Sequence, residues 1–231
     1  MPSKKLEITA YILGFAAIVT ALLAGFEYFE IESNNGTIVA QLFLEGGLCA
    51  YICQSLCNAK AFVKEHPKTV STIMMRYALW IGLPTVLMPL ITTLFFLGLG
   101  NAELLASGNG VLVLLVIAGL VYVLTAMAFG MSLPGSLTIP KEPIRKVLQR
   151  SGRQWPYLFS RFFIIMVPFG IIGVAVPLLS GIFGVTSPDN FLAPQSLAII
   201  FLGRVLTGVS LLGFCIAVVS AYRFDIEEQG S

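Results

Sequence analysis

Charge is scarce in this sequence. Asp, Glu, Lys and Arg make up 11% of the residues, about half the share carried by a water-soluble globule, which excludes that class. Histidine occurs once, as His66, between two apolar runs. No apolar run therefore offers an imidazole for haem or chlorophyll, and none offers a lysine for a retinal Schiff base. HExxH, G-x-S-x-G, a P-loop and a pair of intramembrane aspartates are all missing, so the reading is a protein that is not an enzyme, with no cofactor, no metal and no nucleic-acid partner. The four cysteines show no paired spacing outside the apolar runs, which argues against a disulfide framework.

What is abundant is apolar. The chain is 57% hydrophobic with a mean hydropathy of +0.89. Stretches long enough to cross a hydrocarbon layer of roughly 30 Å lie near residues 8–29, 37–58, 77–99, 111–132, 157–184 and 195–222. The expectation is an all-α polytopic bundle of six transmembrane helices, one transmembrane domain over residues 1–231. The start, MPSKKLEITAYILGFAAIVTALLAGFEYF, has a basic leader, but its apolar run is as long as a full span and lacks a small-x-small cleavage site, so it reads as a retained first helix.

The charges are sorted. The first, third and fifth connections carry only acids (Glu30, Glu32; Glu103; Asp189), while Lys60, Lys64, Lys68 and Arg76 occupy the second and Lys141, Arg145, Lys146, Arg150 and Arg153 the fourth. Lys4, Lys5 and Arg223 fall on that same basic side. Short connections rich in Lys and Arg stay inside, so both termini are expected to be cytoplasmic in a multi-pass protein integral to the plasma (bacterial inner) membrane. The two basic connections read as amphipathic surface helices. Ile144, Val147, Leu148 and Ser151 share one face, leaving Lys141, Arg145, Lys146, Arg150 and Arg153 as a lipid-facing basic surface for anionic headgroups. Val70, Ile73, Met74 and Tyr77 repeat at helical spacing in the other.

RYALWIGLPTVLMPL and RFFIIMVPFGIIGVAVPLL, 85 residues apart, each open on an arginine and an aromatic and contain two prolines. They suggest a repeated unit of surface helix plus two-span hairpin, although few residues coincide. Pro84, Pro89, Pro168 and Pro177 should kink the third and fifth spans.

Two ionisable residues break the rules of a span: Glu45 in the second and Arg204 in the sixth. Counted from outer ends near Thr37 and Gln195, each lies about 12–14 Å deep. A lone charge there costs roughly 3 kcal/mol or more, so an ion pair between them is expected, with Gln41 or Glu27 as secondary partners. The same residues could instead line a polar site on a transport path. Cys49, Cys53 and Cys57 follow Glu45 at four-residue steps and form one ridge, which suits close helix packing better than a tetrahedral metal site. Ala17, Ala21 and Gly25 make a similar small-residue seam on the first helix.

The basic surface helix before an aromatic-rich span, KEPIRKVLQRSGRQWPYLFSRFF, and the proline-bearing LPGSLTIP ahead of it give the chain a layout. That layout resembles small six-span bacterial inner-membrane proteins, including the membrane domain attached to some glycerophosphodiester phosphodiesterases. The resemblance implies a setting and no catalytic residues. The functional expectation is a non-enzymatic accessory, assembly or scaffolding subunit of a membrane complex, with a protein partner in the membrane. The alternative is a small transporter or channel whose polar site lies around Glu45 and Arg204.

Overall fold

A computed structural model describes residues 4–28, 35–98, 108–138, 141–164 and 194–230. The described residues are all-α, with no strand among them. In chain order the elements are α1 (Lys4–Tyr28), α2 (Asn35–Leu56), α3 (Lys60–Glu65), α4 (Lys68–Tyr77), a π-helical turn (Ala78–Gly82), α5 (Leu83–Gly98), α6 (Gly108–Phe129), the short α7 (Ser132–Gly135), α8 (Ile144–Arg153), α9 (155–164) and α10 (Pro194–Gly230).

Four of the described helices are long and apolar enough to cross a membrane: Lys5–Phe26, Lys68–Gly98, Val116–Gly135 and Pro194–Glu228. Six were expected, and the described residues support four. Of the remaining two, the second is the helix α2, described in full only from Ala40, and the fifth lies mostly outside the described residues, which stop at 164. Pro168 and Pro177 lie outside them too.

The π-helical turn has a local cause. A proline at 84 supplies no N–H and its ring crowds the carbonyl four residues back, at Trp80. The backbone widens there, and the Leu83 N–H reaches back five residues to the Ala78 carbonyl. Pro89 follows inside α5. The hydroxyls of Thr85, Thr92 and Thr93 each donate to the carbonyl four residues before them, at 2.8–2.9 Å, which satisfies polar groups where water is absent.

α2 is the centre of the molecule. It packs against α1, α4 and α10, and α1 packs along α10, while α5 and α6 form a second pair. The core joins Ile52 and Cys53 of α2, Ile73 and Tyr77 of α4, and Phe214 and Val218 of α10. Phe162 of α9 packs on Phe214 with ring centroids 5.7 Å apart. Gly46 lets α2 and α4 approach closely, since a Cβ there would lie 3.0 Å from the Cα of Met74. On α1 the inward residues are Ile12, Phe15, Ala16 and Val19. Ala17 and Ala21 are exposed, so the expected small-residue seam points away from the described helices. Outward faces are strongly apolar: Leu94 and Phe95 on α5, Val116 and Leu120 on α6, and Phe163 and Ile164 on α9 are all more than half exposed.

The basic connections meet at one end of the bundle. Arg76 of α4 donates to the carbonyls of Ser132 and Glu142 at 2.9 and 2.8 Å. Lys141 reaches Thr72 at 2.8 Å, and Lys60 pairs with Glu7 of α1 at 2.6 Å. Positions 130–136, which include the first four residues of LPGSLTIP, are buried against this end.

Candidate functional site

Glu45 lies on the inward face of α2 and is 9% exposed. Both of its carboxylate oxygens are engaged: Gln41 Nε2, one helical turn earlier, donates to Oε1 at 2.9 Å, and the Tyr77 hydroxyl of α4 donates to Oε2 at 2.9 Å. Tyr77 is itself 1% exposed and meets Phe214 edge-on at 6.4 Å, so its hydroxyl is held in place by packing. The carboxylate therefore fastens α2 to α4.

Arg204, the expected partner, forms no ion pair or hydrogen bond with Glu45. Helix register explains the separation. Cys215 Sγ donates to the Cys49 carbonyl at 3.9 Å, an offset of 166 residues, and Arg223 Nη2 donates to the Leu56 carbonyl at 2.7 Å, an offset of 167. α2 and α10 thus run in the same direction, with Glu45 level with Leu211 and Leu212. Arg204 is seven or eight residues further from the basic end, roughly 10–12 Å. Measured from Arg223 it lies about 28 Å along the helix, whereas Glu45 lies level with a point about 17 Å along it. The equal depths inferred from the sequence assumed that Thr37 and Gln195 are level. The register makes α10 the helix that extends further. The Glu27 side chain lies outside the described residues.

The cysteine ridge faces α10. Cys49 and Cys53 are fully buried, Cys57 is partly buried, and all are free thiols. Sequence reasoning took the three as a packing ridge and did not single out the fourth, Cys215, which is fully buried against them from α10. No group of three His, Cys, Asp or Glu among the described residues is arranged to hold a metal.

A second charged cluster, at the basic end, was missed. Arg150 of α8 is 5% exposed and sits between two carboxylates: Nη2 meets Glu142 Oε1 at 2.9 Å, and Nη1 pairs with Asp225 of α10. Arg153 completes the cluster with a two-pronged contact to Asp225, Nε to Oδ1 at 2.8 Å and Nη2 to Oδ2 at 3.0 Å. The guanidinium of Arg150 also lies over the Tyr222 ring, 5.4 Å from its centroid. This corrects the basic-surface expectation at one position. Arg150 does not face lipid, because it is the hub of an internal ionic cluster. The buried face of α8 is Val147, Arg150 and Ser151, and Leu148, expected on that face, is 41% exposed. Lys141, Arg145, Lys146 and Arg153 remain exposed, with Lys146 3.5 Å from Glu142. One signal was available: Arg150 stands three residues after Val147 and one before Ser151, which places it on the apolar side of the helix.

Two grooves open near the basic end, one where α3 meets α4 and one lined by Ser220, Arg223, Phe224 and Glu227. Neither is lined by Glu45 or Arg204. No protein-family model, no curated protein and no solved structure matches this chain.

Proposed function

We propose that this chain is a non-enzymatic multi-pass protein of a bacterial inner membrane, serving as an accessory, assembly or scaffolding subunit with its basic end in the cytoplasm. The observation that carries the reading is the engagement of Glu45. Its two oxygens are taken by Gln41 and Tyr77, so the acid at mid-membrane depth acts as a fastener between helices. A carboxylate on an ion path has to exchange partners during each cycle. The charges at the basic end are likewise spent on one another, through Arg150, Glu142, Arg153 and Asp225. What is left for interaction is the outward apolar surface of α5, α6 and α9 and the exposed basic residues. The layout shared with small six-span inner-membrane proteins belongs to the same proposal.

Purification in a mild maltoside detergent followed by mass spectrometry of copurifying proteins tests it. The expected result is a protein partner in stoichiometric amount. A lone oligomer that, in proteoliposomes, carries an ion flux abolished by Glu45→Gln would replace this reading with a small transporter or channel.

A further inference from the structure

The groove between α3 and α4 has a volume of about 450 Å³ and a mixed lining. Phe62 and Pro67 make it partly apolar, while Lys68, Lys141 and His66 bring nitrogen groups to it. Glu65 is the one acid of the lining. The volume falls in the range of pockets that hold small organic ligands.

The two lysines and the histidine bring donors to the groove. Lys68 is exposed and its ammonium makes no hydrogen bond or ion pair among the described residues, so it stands at the groove unpaired there. Lys141 is steadied by its bond to Thr72 Oγ1 at 2.8 Å and keeps two further N–H donors. The His66 ring stacks on Phe62 with centroids 4.7 Å apart, and its Nδ1 lies 3.1 Å from the Phe62 carbonyl, which leaves Nε2 as the ring nitrogen open to a ligand. Behind these groups is the start of α4, which continues through the π-helical turn to Gly98 and directs the positive end of its dipole to the groove. The amides of Thr69 and Val70 are occupied by the carbonyls of His66 and Pro67 at 2.9 and 3.3 Å, so the side chains make the contacts. The Thr69 hydroxyl is buried and has no hydrogen-bond partner among the described residues.

The geometry points to a phosphate-ester binding site in this groove. Lys68 and Lys141 hold the phosphoryl oxygens, Phe62 and Pro67 cover the carbon skeleton of the ester, and Glu65 accepts from a hydroxyl or ammonium on the same ligand. Two lysines against one glutamate suit a single phosphate better than a polyanion. The chemistry is shared by a phospholipid headgroup and by a soluble phosphate ester, and the probes separate the two.

The test uses the full chain in dodecyl maltoside, titrated with dihexanoyl phosphatidylethanolamine in one arm and glycerol 3-phosphate in the other, with binding followed calorimetrically. The variants are Lys68→Gln, Lys68→Gln with Lys141→Gln, and a charge-matched control, Lys5→Gln with Arg145→Gln. Saturable binding is expected for one probe, and that probe identifies the source. Its Kd should rise about tenfold in the double groove variant, as the loss of charge-assisted bonds requires, and stay unchanged in the control. Lys68→Gln, at an exposed side chain with no partner to lose, keeps the test valid if the double variant folds poorly. Absence of binding by both probes overturns the inference, as does an affinity that falls equally in the control.

Discussion

Arg150 and Glu45 show the same economy with opposite charges. Each is a buried ionic side chain tied to a second helix through one remote partner, Tyr77 for Glu45 and Asp225 for Arg150, and each was placed differently by sequence reasoning because that partner is distant in the chain. Tyr77 is 32 residues from Glu45, and Asp225 is 75 residues from Arg150. Their energetic consequences should differ. Tyr77→Phe removes one donor from a carboxylate that keeps Gln41, a loss of about 1–3 kcal/mol. Asp225→Ala removes the carboxylate shared by Arg150 and Arg153 and leaves a buried guanidinium with Glu142 alone, a loss of about 3–5 kcal/mol. Thermal unfolding in detergent should therefore show both variants below wild type, with Asp225→Ala the lower. If Asp225→Ala melts with wild type, the cluster is not what holds α8 to α10.

At the scale of elements, apolar run length revealed where helices lie, since length and hydropathy are local properties. The four helices long and apolar enough to cross a membrane fall at the first, third, fourth and sixth expected spans, and the described basic connections are helical. The rotational phase of α8 was legible in part, since Val147 and Ser151 are buried as expected while Leu148 is not. A helical wheel ranks residues by hydropathy, and Arg150 turns inward only because Glu142 and Asp225 await it. The relative height of α2 and α10 was hidden for a similar reason: it depends on contacts such as Cys215 with Cys49, and no single helix encodes its neighbour's register. Close approach between helices yields a ranked prediction. An alanine Cβ at Gly46 meets backbone atoms of Met74 at 3.0 and 3.1 Å, at Gly208 it meets the flexible Ile12 side chain at 2.8 Å, and at Gly14 nothing lies within 4 Å. Gly46→Ala must push α2 from α4 and should destabilise by about 1–3 kcal/mol, Gly208→Ala should lose less, and Gly14→Ala should equal or exceed wild type because alanine favours the helix. Melting temperatures of the three variants check the order, and a Gly46→Ala protein as stable as Gly14→Ala would contradict the packing of α2 on α4.

For the whole molecule, the sorting of cations carries the most weight. Lys60, Arg76, Lys141, Arg150, Arg153 and Arg223 come from segments far apart in the chain, yet their contacts gather at one end, with α2 and α10 running toward it in parallel. In the proposed function this is the end that faces the cytoplasm, as the positive-inside rule requires. Gly98 and Gly152 report on the two ends, because both are exposed and a side chain at either meets nothing within 4 Å. With Cys57 replaced by serine, Cys49, Cys53 and Cys215 are fully buried and should stay silent toward a membrane-impermeant maleimide. Gly98→Cys should then be labelled on intact spheroplasts, and Gly152→Cys only on inverted vesicles. Labelling of Gly152→Cys from the outside would reverse the proposed orientation. Labelling of both from one side would mean that α5 does not cross the membrane, whatever its length and hydropathy.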